Sequence, residues 1–209
     1  MRAFIFDLDG VILSTDEFHF RAWSEIAKEE NLTFNRDINN KLRGISRAQS
    51  LQIILDYNEK HYDDEEKSRL IEKKNEIYKQ LLAGLNQDSI TPAVIKTIEE
   101  IKKAGYKIAI GSSSKNATDI LKRCKIHDLF DAVSDGNNIS RSKPDPEVFL
   151  KATEMMSVLP TETYVVEDAC SGIDAANAGG FVSIGINDAS EYHKADYSVS
   201  RFEDLLSFI

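Results

Sequence analysis

The 209 residues predict an α/β fold: a mostly parallel sheet covered by helices on both faces, with a helical module inserted after the first strand. Three observations lead there. Short apolar runs of strand length alternate with stretches whose apolar residues recur at helical spacing, the pattern of right-handed β-α-β units. The alternation breaks once, between about Asp16 and Asn86, where only helical signals occur. The residues able to do chemistry follow the strand-like runs, at the carboxyl edge where open α/β sheets bind ligands.

Residues 3–8, AFIFDL, form a short apolar run like that of a parallel strand buried on both faces. Phe18, Ala22 and Ile26 then recur at helical spacing within 17–29, and Leu51, Ile54 and Leu55 within Ser46–Asp56. Residues 63–82 begin acidic and turn basic, as a helix dipole prefers. Val94, Ile95, Ile98 and Ile101 mark a helix that stops at Gly105, and Lys107–Gly111 a strand. Ile120, Leu121 and Cys124 predict a helix, Ala132–Val133 a strand, and Val148, Phe149, Ala152, Met155 and Met156 another helix. Strands at Thr163–Glu167, Phe181–Ile186 and Asp196–Val199 complete the series. The sheet domain is therefore expected over 1–14 and 88–209, and the helical domain over 15–87. The charge runs Asp63–Lys67 and Glu99–Lys103 read as solvated helix faces.

With 42% hydrophobic and 29% charged residues and four prolines, the composition is that of a folded globular protein. A net charge of −9 and a pI near 5.0 argue against a nucleic-acid partner, which needs a basic face. Small phosphorylated substrates need only a few well-placed cations, so the charge does not exclude them. No apolar run approaches the roughly 18–20 residues that span a bilayer, and the first residues lack the basic start and apolar stretch of a signal peptide. Cys124 and Cys170 form no paired motif and read as reduced thiols. The expectation is a cytoplasmic monomer with no nucleic-acid or membrane partner.

Four segments carry chemistry. Asp7-Leu8-Asp9-Gly10 places two carboxylates at i and i+2, on one side of a strand end, where like charges crowd unless a cation sits between them. Mg²⁺ accepts such oxygen ligands; an exposed acidic turn would have the same sequence. Gly111-Ser112-Ser113-Ser114-Lys115-Asn116 offers hydroxyls and backbone N–H groups for an anion, or a serine cap for the next helix. Lys143, before the Pro144-Asp145-Pro146 turn, is an ammonium on a stiff backbone that can meet a phosphate, or else a surface lysine in a loop capped by Asp145. Glu167-Asp168 adds a second acidic pair at a second strand end. In this order the parts supply what phosphoryl transfer needs: a nucleophile, a metal site, a cation, hydroxyl donors and a second carboxylate for the proton.

FDLDGV, the serine after KIAIG, KPDP and Glu167-Asp168 match, in order, the four motifs of the haloacid dehalogenase superfamily of phosphotransferases, and the chain resembles it over essentially its whole length. The resemblance implies a Rossmann-like parallel sheet core with an inserted α-helical cap and a Mg²⁺ cofactor. Phe18-His19-Phe20-Arg21-Ala22-Trp23, Arg43-Gly44-Ile45-Ser46-Arg47, Lys74-Asn75 and Ser112–Asn116 are similar to segments of the family's sugar phosphomutases. That similarity implies a phosphorylated sugar as substrate, with glucose 1-phosphate and glucose 6-phosphate interconverted through a bisphosphate. It makes Asp7 the phosphorylated nucleophile and Asp9 the general acid and base. Asp7, the backbone carbonyl of Asp9, Glu167 and Asp168 become the metal ligands. Ser112 and Lys143 would grip the transferring phosphoryl group. Arg47, Ser114, Lys115 and Asn116 would hold the other phosphate, and His19 would join the cap to Asp9 and the sugar. Ser113, Trp23, Arg43, Gly44, Ile45, Ser46 and Lys74 belong to the same substrate-binding segments.

Arg43 stands where those enzymes carry lysine, and Ser14-Thr15 where they carry Asp-Thr, so cap closure is the property most exposed to change. His19 and Trp23 also suit the packing of a helix face, and His61, His127 and His193 read as surface residues. A small-molecule phosphatase with the same core and cap is the alternative function. A receiver-like signalling module shares the carboxylates, hydroxyl and lysine, but has no use for a helical insertion.

Overall fold

The computed structural model describes residues 2–209. The chain divides into two compact units, Met1–Ser14 with Leu85–Ile209, and Thr15–Gly84. The second division falls three residues before the expected one. Asn86 caps a 3₁₀ turn over Gln87–Ser89, and that turn leads into the sheet unit.

The sheet unit holds six parallel strands: β1 (Ala3–Phe6), β2 (Lys107–Gly111), β3 (Ala132–Ser134), β4 (Thr163–Glu167), β5 (Val182–Gly185) and β6 (Tyr197–Ser198). Their order is β3-β2-β1-β4-β5-β6, which puts the first strand at the centre and reverses direction between β1 and β4. All four residues of β1 are buried, as a continuous apolar run between two helical layers must be.

Alternation sorts the two faces. Ala3 and Ile5 pack with Ala109, Val165 and the apolar sides of two helices beyond the helical unit, Glu147–Met156 (Val148, Phe149, Ala152, Met156) and Cys170–Ala178 (Ala175, Ala176). Phe4 and Phe6 face the other way, Phe4 against Tyr106 and Tyr164, Phe6 against Phe202. Each Val, Ile, Met or Phe side chain so buried contributes roughly 1.5–3 kcal/mol. The helix Pro92–Lys103 covers this second face beside the 3₁₀ segment Phe202–Phe208. The helix Cys170–Ala178 carries few large apolar residues and is not evident from periodicity.

The helical unit contains α1 (Asp16–Glu29), α2 (Arg36–Asn40), α3 (Arg47–Tyr57) and α4 (Asp64–Leu82). In chain order the helices of the sheet unit are α5 (Pro92–Lys103), α6 (Ala117–Arg123), α7 (Glu147–Met156) and α8 (Cys170–Ala178). Trp23, Ile26, Leu51, Ile54, Leu55 and Leu70 form the core of the helical unit. Ser46 and Asp63 start α3 and α4 with reciprocal capping boxes to Gln49 and Glu66, which satisfy the first free N–H groups of each helix. The five-residue α2, capped by Asn35, is too short to show a helical period. No helix among the described residues is long and apolar enough to cross a membrane.

Candidate active site

The register of the central strands decides which chemical groups meet. Phe6 pairs with Ile110 on one side and Val166 on the other, so the residues just after β1, β2 and β4 lie side by side at the carboxyl edge. Strand β1 ends at Phe6, so Asp7 and Asp9 are not alternate residues of one strand as the sequence suggests. The Asp7 N–H still extends the ladder to Val166 O at 3.0 Å, which keeps Asp7 in phase with Ala3 and Ile5, toward α7. Val165 lies on that same face, and Glu167 follows it by two residues. Asp9 instead enters a tight turn, bridged to Leu13 and half-buried.

Lys143 reaches this point from the loop before α7. Its ammonium donates to Asp7 Oδ1 at 2.6 Å and to Glu167 Oε1, and lies 4.9 Å from the ring centre of Phe149. The side chain has no exposure at all, which overturns the surface-lysine alternative. The peptide bond Lys143–Pro144 is cis, and Glu147, on the first turn of α7, holds the approach by accepting from Ser140 N, Ser140 Oγ and Arg141 N.

Asp7, Glu167 and Asp168 offer carboxylate oxygens that all lie within 4.8 Å of one another, and all three residues are buried. Burial, then the charge of Asp7, pushes the Glu167 carboxyl up to about 7 despite Lys143. Burial and the charges of Glu167, Asp7 and Asp9 push Asp168 up to about 9. Burial pulls Lys143 the other way, but Asp7 and Glu167 more than offset it and hold the ammonium above the ordinary lysine range. Three carboxylates thus face one ammonium. A set of oxygen donors with surplus negative charge fits a hard divalent cation. Gly10 makes the approach possible: its φ is +87°, and a Cβ there would collide with the Asp168 carboxylate. Asn187 Nδ2 fixes this turn by donating to Gly10 O at 2.7 Å.

The loop after β2 is ordered by its own hydroxyls. Ser112 Oγ accepts from Ser114 N, and Ser114 Oγ from Asn116 N, both at 3.2 Å. Neither serine is the N-cap of α6; Asn116 holds that position, and its side chain does not cap the helix. Ser112 and Asn116 are buried, while Ser113 and Ser114 are partly covered and Lys115 is exposed.

In the helical unit, Lys74 is wholly buried and its Nζ lies 2.8 Å from His19 Nδ1. An ammonium can only donate, so Nδ1 accepts and the ring proton sits on Nε2. Burial first, then Lys74 and Arg47, hold the His19 pKa well below its ordinary value, so the ring is neutral. Tyr78 lies beside it, its ring tilted by 34° with ring centres 4.2 Å apart and its hydroxyl 2.8 Å from Thr15 Oγ1. Burial lowers the Arg47 pKa, partly offset by Tyr78. Arg43 pairs with Asp16 at 3.6 Å, Gly44 is left-handed with φ +74°, and Ile45 is half-buried. Ser46 spends its hydroxyl on the α3 cap. Trp23 is the clear correction. At 2% exposure it belongs to the core of the helical unit, and its ring is not available to a sugar. The buried carboxylate–lysine cluster comes from the sheet unit, and the His19–Lys74 group from the helical one. Sequence reasoning missed Glu147, Asn187 and the turn Asp135–Asn138, because residues that hold a loop carry no motif of their own.

Comparison with known proteins agrees with this geometry. The model of the haloacid dehalogenase-like hydrolase family matches residues 4–186. The chain belongs to that family. Membership sets aside the signalling-receiver alternative and accounts for the parallel sheet with its acidic carboxyl edge. Within the family, the β-phosphoglucomutase of Bacillus subtilis is 39% identical over 98% of this chain and 92% of its own length. A phosphorylated carbohydrates phosphatase of Thermotoga maritima is 29% identical over 88% of this chain and 84% of its own. The solved β-phosphoglucomutase of Clostridium difficile superposes with a TM-score of 0.93 at 36% identity, covering 98% of this chain and 93% of that one.

Proposed function

We propose that the protein is a β-phosphoglucomutase, interconverting β-glucose 1-phosphate and glucose 6-phosphate through phosphorylated Asp7 and β-glucose 1,6-bisphosphate. One observation carries the reading. A carboxylate at the end of the central strand is gripped by a buried lysine, in a chain similar over nearly its full length to a β-phosphoglucomutase.

Asp7 is the nucleophile. In the forward half-reaction, the bond between phosphorus and the Asp7 carboxylate breaks as the 6-hydroxyl oxygen of glucose 1-phosphate bonds to phosphorus, and Asp9 takes the hydroxyl proton. The bisphosphate then presents its other end. Asp7 accepts the phosphoryl group from the 1-oxygen, Asp9 returns the proton to that oxygen, and glucose 6-phosphate leaves. Asp9 suits this part because its carboxylate stands outside the Asp7–Glu167–Asp168 cluster. Lys143 orients Asp7 and adds positive charge beside the transferring group, and Ser112 donates to it. Mg²⁺, held by Asp7, Glu167, Asp168 and the backbone carbonyl of Asp9, would supply the remaining positive charge that phosphoryl transfer needs. In the sheet unit, Ser114, Lys115 and Asn116 bind the phosphate that is not transferred; in the helical unit, Arg47 offers a further cation for a phosphate and His19 its neutral Nε2–H for a sugar hydroxyl. Lys74 acts through His19 rather than on substrate.

A phosphatase acting on sugar phosphates is the second reading, and the Thermotoga maritima relative favours it. The two differ in whether water or sugar receives the phosphoryl group. The deciding assay supplies β-glucose 1-phosphate, Mg²⁺ and a trace of the bisphosphate and follows both products. Glucose 6-phosphate with little inorganic phosphate supports the mutase. Stoichiometric phosphate release without glucose 6-phosphate would leave the phosphatase.

A further inference from the structure

We propose that the turn Asp135–Asn138 is a positioning element that sets the shape of the Ser113–Asn116 loop and, through it, affinity for the phosphate that is not transferred. The inference rests on the reading of Ser114, Lys115 and Asn116 as that phosphate's binding residues.

Strands β2 and β3 run side by side as far as Gly111 and Ser134, and one more bond, Ser112 N to Ser134 O at 3.0 Å, carries the pairing past the strand end. There the two chains become loops, one leading to α6 and the other to Lys143. The second loop grips the first at two successive carbonyls. Gly136 N donates to Ser114 O at 3.1 Å, and Asn137 Nδ2 donates to Lys115 O at 2.9 Å. The fit is close enough to require glycine. A Cβ at Gly136 would lie 2.6 Å from Ser113 O and 3.0 Å from Lys115 N.

The gripping turn is itself braced. Asp135 Oδ1 accepts from Asn137 N at 2.9 Å and from Asn137 Nδ2 at 3.0 Å, which fixes the amide that reaches Lys115. Its other oxygen accepts from Thr118 Oγ1 at 3.1 Å, on the first turn of α6. Asn138 Oδ1 accepts from Asp135 N at 3.0 Å and closes the turn. Asp135 is only 5% exposed, and the partners of its carboxylate are neutral groups. A buried carboxylate held, among the described residues, by neutral donors is costly to maintain, and this one ties the gripping turn to Thr118, just past the Asn116 end of the Ser113–Asn116 loop. With its ends anchored at Ser134 and Thr118 and two carbonyls engaged from outside, the loop presents Ser114, Lys115 and Asn116 in a fixed arrangement. Such preorganisation lowers the ordering cost of binding an anion.

The test compares Asn137→Ala, Lys115→Ala and the double variant, with β-glucose 1-phosphate as the varied substrate. Asn137→Ala is expected to raise KM about tenfold, the size of one lost hydrogen bond, while kcat at saturation stays near wild type, because uniform binding is what is lost. In the Lys115→Ala background the same change should add less than it does in wild type, since one of the groups that Asn137 positions, the Lys115 ammonium, is already gone. Thr118→Val, which removes only the outer brace, should give a smaller rise in KM and serves if Asn137→Ala does not fold. A wild-type KM in Asn137→Ala beside a raised KM in Lys115→Ala overturns the inference alone. So does a proportional fall in kcat, or full additivity in the double variant. An unchanged KM in Lys115→Ala overturns the reading of the phosphate loop, and the inference with it.

Discussion

Replacing Lys143 by methionine keeps the apolar stem in place and removes the ammonium that bonds Asp7 and Glu167 beside Asp168, three residues whose carboxylate oxygens lie within 4.8 Å of one another. Removing one partner of a buried ion pair costs about 3–5 kcal/mol. Here the cost depends on pH, because a carboxylate stripped of its partner can take up a proton instead. Even with Lys143 present, burial and the neighbouring carboxylates raise Glu167 to about 7 and Asp168 to about 9, from ordinary values of 4.5 and 3.8. A carboxyl whose pKa is higher in the folded state binds its proton more tightly there. Its destabilising effect is absent below the unfolded pKa, grows as pH rises, and levels off above the folded one. Loss of Lys143 lifts both values further. In chelator the variant should lose about 3–5 kcal/mol near about pH 8.5 and clearly less near about pH 5, where Glu167 and Asp168 are protonated and only the pair with Asp7 is lost. With a urea slope of about 2 kcal/mol/M, the loss at the higher pH is a drop of about 1.5–2.5 M in the unfolding midpoint. Added Mg²⁺ should recover part of the loss at the higher pH. An equal loss at both pH values, or none at the higher one, would refute the assignment of Lys143 as the counter-charge of this cluster.

The neutral His19 predicts an acid limb in the stability of the helical unit. Its folded pKa lies well below 6.5, so the unfolded chain binds the extra proton, and stability should fall as pH drops through about 6.5 toward the folded value. Thermal unfolding against pH should show that limb in wild type and lose it in His19→Asn. Trp23→Ala should destabilise the helical unit by about 3–5 kcal/mol, as a large buried ring does. Measured well below its unfolding temperature, the same variant should keep the KM for β-glucose 1-phosphate. A raised KM with unchanged stability would return Trp23 to the substrate.

The core of the fold was legible because local and tertiary signals agree in it. AFIF and the IAIG that follows Lys107 are apolar on both faces, and the structure buries them on both. The order Asp-Ser-Lys-(Glu-Asp) could be read because each residue follows its own strand, and parallel strands carry their ends to one edge. The detail that escaped is of two kinds. Helix α8, CSGIDAANA, buries small residues and presents no strong period. Lys143 and Trp23 each left two readings open in the sequence. A lysine in a loop can be exposed, yet Phe149 and two carboxylates enclose this one; an aromatic beside a substrate motif can be a ligand or packing, and this one fills a core. Burial depends on what the rest of the chain brings, and no local window reports that. Glu147, Asn187 and Asp135 escaped for a related reason: each holds a loop through a contact that no local motif announces.

The central claim is that Asp7 carries the phosphoryl group during turnover. It is tested most directly by quenching the working enzyme in acid, reducing acyl phosphates with borohydride and sequencing the labelled peptide. The account predicts homoserine at position 7, formed only when phosphoryl donor and Mg²⁺ are both present, and no label in Asp7→Asn. Label at another residue, or none while glucose 6-phosphate continues to form, would contradict it.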